Sequence, residues 1–171
     1  VAHIKGEPSH QIVLDAYQML RNMDHRGACG CEVNTGDGSG ILTGLPMAFL
    51  KKVAREELDV ELPEPGRFGA GIVFLPRNEA EREKCIACVE AIIAEHGQKL
   101  IGWRQVPVET EAADVGPSAR AAEPVIAQLF IGAAEGLEGD DFEWQLYLKK
   151  TSYVFSLDAG RNDNFDFTTC R

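Results

Sequence analysis

A chain of 171 residues that is 44% hydrophobic and 26% charged is long and apolar enough to bury the core of one domain, or of a large piece of one, and too apolar to stay disordered. Its 27 acidic side chains against 17 Lys and Arg give a formal charge of -10. That charge opposes nucleic acid and anionic membrane surfaces as partners, and no apolar run approaches the roughly 20 residues that cross a bilayer.

Val1 to Ile4 alternates apolar and polar residues and reads as a short strand, broken by Gly6, Glu7 and Pro8. Because the first residue is Val1 and not Met, the chain reads as beginning inside something longer. Ser9 can cap a helix, and Ile12, Val13, Ala16, Leu20 and Met23 fall on one face, which predicts an amphipathic helix from Ser9 to about Met23 that covers a sheet. Asp24 to Cys31 and Thr35 to Gly40 are too rich in glycine for helix or strand. They read as a constructed turn in which positive φ or close backbone approach is used. Ile41 to Leu45 reads as a strand, and Pro46 as the first position of a helix through Phe49, Leu50, Val53 and Ala54.

After the connection at Leu62 to Gly66, Phe68 to Leu75 reads as a buried strand. Asn78 and Glu81 form a capping-box-like start for a helix that buries Ile86, Val89, Ile92 and Ile93 and closes at Gly97. Leu100 to Val108 is a predicted strand, Glu109 to Ser118 an acidic loop and Val125 to Ile131 another strand. Ala133 to Asp141 is a loop, Phe142 to Lys150 fits helix or strand, and Tyr153 to Leu157 is a predicted strand. There is no internal repeat, coiled-coil heptad or low-complexity segment.

The five cysteines, Cys29, Cys31, Cys85, Cys88 and Cys170, are odd in number and irregularly spaced, so a disulfide framework is not expected. They fit a reducing compartment, the cytoplasm. Cys85 and Cys88 have the spacing of a redox pair, yet they fall inside a predicted helix past its first turn, which favours packing of small apolar side chains. A zinc site would need a second pair at comparable spacing, for which Cys29 and Cys31 are the candidates. His25 beside Arg26 suits a base next to an anion-binding fork, with Arg26 as a tie for its own turn as the alternative. Gly36 to Gly40 lacks the lysine ending of a phosphate loop and the spacing of a dinucleotide fingerprint. His3, His10 and His96 have no carboxylate or cysteine neighbours that would single them out.

Taken together, Ala2-His3-Ile4-Lys5-Gly6, Asp24-His25-Arg26-Gly27-Ala28 and Thr35-Gly36-Asp37-Gly38-Ser39-Gly40-Ile41-Leu42 resemble the start of glutamate synthase large subunits. Ile101-Gly102-Trp103-Arg104-Gln105-Val106-Pro107-Val108, Gly116-Pro117-Ser118-Ala119-Arg120, Glu123-Pro124-Val125-Ile126-Ala127-Gln128 and Phe142-Glu143-Trp144-Gln145-Leu146-Tyr147 resemble later segments of the same family, in the same order. The resemblance covers roughly Val1 to Leu157. It implies a class II glutamine amidotransferase domain with an α/β (α+β) N-terminal-nucleophile fold, an αββα sandwich. The part present is residues 1–157, with an inserted α/β subdomain at about 68–131 that takes in Trp103 and Arg104 as structural residues and an unassigned tail at 158–171.

The chemistry implied is hydrolysis of glutamine by a mature N-terminal cysteine whose own α-amino group is the base. The ammonia is then used elsewhere in the longer protein, on FMN and an iron-sulfur cluster, to aminate 2-oxoglutarate reductively. In the family that cysteine precedes the stretch beginning at Val1, so no catalytic residue, cofactor site or metal site is expected in these residues. Cys29 and Cys31 own no free α-amino group. Support of the nucleophile is expected from Arg26, Gly27, Asp37 and Gly38. From Asp158 onward the sequence departs from the family's pattern, where the substrate-binding arginine and the oxyanion asparagine and glycine would follow. The expected partners are glutamine and the remainder of the glutamate synthase chain, and this stretch by itself is expected to be inactive. The alternative is a non-catalytic binding or scaffold derivative that self-associates through unpaired sheet edges.

Overall fold

The protein is described by a computed structural model covering residues 3–28, 32 and 38–146. Its contacts separate two compact units, Val1–Thr43 with Glu109–Glu123, and Gly44–Val108 with Pro124–Arg171.

In the second unit, the central element is the strand that can be buried on both sides. β3 (Val125–Gly132) is flanked by β1 (Phe68–Leu75) and β2 (Lys99–Gln105) in a three-stranded sheet of order β1-β3-β2, with both pairings antiparallel. Side chains alternate between the faces of a strand. Ala127, Leu129 and Ile131 therefore join Val73 and Leu75 on one face, and Phe130 joins Phe68 on the other. α3 (Glu79–Glu95) covers the first face with Val89 and Ile93, and Phe142 adds to it from a helical stretch over residues 139–146. α2 (Met47–Leu58) covers the second with Leu50, Val53 and Ala54.

The register of β2 slips between Leu100, opposite Ile131, and Gly102, opposite Phe130, leaving Ile101 as the extra residue of a bulge. Beyond the bulge, Trp103 pairs with Leu129 on the α3 face and Arg104 with Gln128 on the α2 face.

Local signals set the element ends. The Asn78 side chain accepts from the Glu81 N–H at 3.0 Å and caps α3. Gly97, at φ +68, turns the chain out of it as expected. Gly66 is required on two counts. Its φ is +84, and an added Cβ would lie 3.4 Å from the Gly139 nitrogen, whose N–H donates to the Gly66 carbonyl at 2.8 Å.

In the first unit, α1 (His10–Asn22) starts where Ser9 Oγ accepts from the Gln11 N–H at 3.2 Å. Its polar side is laced by Gln11–Asp15 and Gln18–Asn22 side-chain hydrogen bonds of 2.7 and 2.8 Å. Ile12, Ala16 and Leu20 form a half-buried stripe, while Val13, Tyr17 and Met23 are exposed. α4 (Pro117–Ala122) completes the unit.

Several expectations are corrected. His3 and Ile4 belong to a turn closed by the Gly6 N–H on the His3 carbonyl at 2.9 Å, and not to a strand; Val1 and Ala2 lie outside the described residues. Ile41 to Leu45 has no strand assignment among the described residues. β2 ends at Gln105 and not at Val108, since Pro107 has no N–H to donate to a ladder. The loop expected from Glu109 to Ser118 gives way to α4 at Pro117, and Pro46 is the N-cap of α2 and not its first helical residue. No residue of α1 is buried, so a covering role for its apolar face is not seen among the described residues. Of the stretch Phe142 to Lys150, the described part is helical; Tyr153 to Leu157 and the 158–171 tail lie outside the described residues. The mixed helix and strand content fits the α/β class. Among the described residues there is one sheet, where the resemblance implies two.

Burial on the central strand predicts the scale of damage there. Leu129→Ala, at a fully buried position, is expected to lower unfolding free energy by about 2–5 kcal/mol in urea titrations. Leu42→Ala, at a site 90% exposed, is expected to stay within about 0.5 kcal/mol.

Candidate functional site

The residues singled out by sequence cluster in the first unit, where α1 runs out. Met23 closes the helix with its N–H on the Met19 and Leu20 carbonyls, both at 3.1 Å, and a 3-10 turn over Asp24–Arg26 follows at once. The Arg26 N–H reaches the Met23 carbonyl at 2.8 Å, and the Gly27 N–H reaches that of Asp24 at 3.1 Å. Gly27 then leaves in an extended conformation, φ -79 and ψ 153. An added Cβ at Gly27 would meet the Asp24 oxygen at 3.5 Å, an ordinary contact, so this backbone does not itself demand glycine. His25 and Arg26 are exposed.

Gly38 is exposed, and a Cβ there or at Gly40 meets nothing within 4 Å. The close approach expected of these glycines is therefore not found among the described residues. Asp37, Cys29 and Cys31 lie outside them.

A contact that spacing could not reveal links Glu32 to a distant segment of the same unit. The Glu32 carboxylate accepts from the Ser118 N–H at 3.0 and 3.3 Å, at the start of α4, where Gly116 is the cap and Pro117 holds the first position. A carboxylate at a helix start meets N–H groups that the helix leaves free. The 109–123 segment is braced internally by Arg120 Nη1 on Glu111 Oε1 at 2.6 Å and by a Thr110 hydroxyl bond to Glu123. Two of the segments that carried the resemblance, the Arg26 turn and Gly116 to Arg120, thus fall in one unit.

In the second unit, Arg104 is 8% exposed. Its Nε donates to Glu57 Oε2 at 2.7 Å and its Nη1 to Gln128 Oε1 at 3.4 Å, with the guanidinium 5.9 Å from the Phe49 ring centroid. Trp103 Nε1 donates to Glu90 Oε1 at 3.0 Å. An apolar cavity of about 410 Å³ opens between the start of β1 and the helical stretch 139–146. Among the described residues no group of three His, Cys, Asp or Glu side chains comes together as a metal site, and no helix is long and apolar enough to cross a membrane.

The sequence signature of the glutamine amidotransferases class-II matches residues 1–169. The chain belongs to that family. It is 40% identical over 148 residues to the glutamate synthase (NADPH) large chain of Bacillus subtilis (strain 168), covering 86% of this chain and 9% of the relative. It is 32% identical over 151 residues to ferredoxin-dependent glutamate synthase 2 of Synechocystis sp. (strain ATCC 27184 / PCC 6803 / Kazusa), covering 88% of this chain and 10% of that one. With glutamate synthase (NADH) of Saccharomyces cerevisiae (strain ATCC 204508 / S288c) the identity is 38% over 169 residues, 92% of this chain and 8% of the relative. The chain thus spans at most a tenth of the length of these relatives.

In this amidotransferase chain, Cys85 and Cys88 are half-buried and packed against the core cluster of Val89 and Ile93, as small apolar side chains. Burial pushes the Cys85 thiol above its ordinary value, helped by the neighbouring Cys88 and Glu81. A redox nucleophile needs the opposite shift, so the packing and the direction of the shift both favour the apolar role for Cys85. The other cysteines can be removed to isolate the effect. A Cys29→Ser/Cys31→Ser/Cys88→Ser/Cys170→Ser chain is expected to react slowly with a disulfide reagent at pH 7 and faster only above the ordinary thiol range. Because its folded pKa is the higher one, Cys85 contributes stability below the unfolded thiol's pKa and loses it as pH rises through the folded value. Unfolding midpoints at pH 7 and pH 10, compared with those of Cys85→Ala in the same background, check this sign.

Proposed function

We propose that this chain is part of the glutaminase domain of a glutamate synthase large subunit, hydrolysing glutamine to glutamate and ammonia for the reductive amination of 2-oxoglutarate. The observation that carries this reading is the family match over residues 1–169 together with 40% identity to a glutamate synthase large chain across 86% of this chain. The domain reading that goes with it is an N-terminal-nucleophile αββα sandwich over 1–157, with an inserted α/β subdomain near 68–131. The sheet of β1, β2 and β3 with α3 supports that insertion, since all four elements fall within or at the edge of that range.

The chemistry proposed is attack of a cysteine thiolate on the glutamine side-chain amide. The carbon–sulfur bond forms and the carbon–nitrogen bond breaks. Ammonia departs with the proton taken up by the cysteine's α-amino group, and water then cleaves the thioester to glutamate. The cysteine is assigned to the stretch that precedes Val1 in the family, and the residues of this chain take supporting roles. In this reading Arg26 and Gly27, held by the turn on Asp24, buttress the nucleophile, and Asp37 and Gly38 take supporting roles in the same segment. FMN and the iron-sulfur cluster belong to the remainder of the longer protein, and the setting is cytoplasmic.

Two measurements test this. The 171-residue chain is expected to release no ammonia from glutamine above background, while a chain that restores the family's Cys-Gly opening and its downstream oxyanion segment is expected to hydrolyse glutamine and to be labelled by a diazo-ketone glutamine analogue. Hydrolysis by the unextended chain would overturn the assignment of the nucleophile. In the restored chain, Arg26→Ala is expected to lower kcat/KM by about 10- to 100-fold, the scale set by misplacing a reacting group. Its circular dichroism and urea midpoint should be unchanged, because Arg26 is exposed.

A further inference from the structure

We draw no further inference here: the strongest candidate, the apolar cavity between the start of β1 and the helical stretch 139–146, bounded by Leu45, Phe68, Phe142 and Leu146, lies beside the last described residue and nothing in the structure shows what covers it.

Discussion

The second unit depends on one constraint: residues 127–132 of β3 are buried on both faces at once. A strand with no exposed face cannot sit at the edge of a sheet without wetting apolar surface and leaving a row of backbone groups unpaired. Two neighbours and two covering layers follow from that. β1 and β2 satisfy its N–H and C=O groups, and α2 and α3 dry its two faces. The two apolar clusters are therefore one packing problem, split by the plane of the sheet, with Leu129 and Phe130 as adjacent residues facing opposite ways.

Into this apolar setting the chain places charge. A guanidinium loses much of its hydration at 8% exposure, and such burial is tolerated when the lost water is replaced by oriented acceptors. Glu57 on α2 and Gln128 on β3 supply them, so Arg104 binds helix, edge strand and central strand at a single point. The half-exposed Glu57 keeps part of its own hydration, which reduces the desolvation cost of the pair. Gln98 shows the less complete case. Its Oε1 accepts from the Ala134 N–H at 2.8 Å, while Nε2 is buried with no partner among the described residues.

How much of this could be read from the sequence depended on whether the signal was local. α3 was legible because Asn78, the apolar spacing of Val89 and Ile93, and Gly97 all lie in or directly beside the element they define. β1 and β3 were legible because continuous apolar runs bounded by Pro and Gly have little other use. Ile41 to Leu45 has the composition of a strand and no strand assignment, because pairing is not a local property that composition can specify. α4 was missed because six residues carry too little periodicity; Pro117 after Gly116 was the one signal available. In the candidate site, the Arg26 turn followed from its own residues, whereas the bond from Glu32 to Ser118 joins residues 86 positions apart and left no trace in spacing. The membership of the chain in its family was legible in the order of several unrelated loops, which no single motif carried.

The bulge at Ile101 has a consequence for the tolerance of this region to insertion and deletion. With side chains alternating in period two, one extra residue exchanges the faces of everything beyond it. It is this extra residue that sends the Trp103 indole towards Glu90 and the Arg104 guanidinium towards Glu57. Taking Ile101 into an unbroken ladder, opposite Phe130, would swap the two. A cation would then face the apolar side of α3 and an indole the carboxylate of α2. Loss of the Ile101 codon would instead leave Trp103 opposite Leu129 and Arg104 opposite Gln128, so the strand tolerates losing its extra residue better than pairing it.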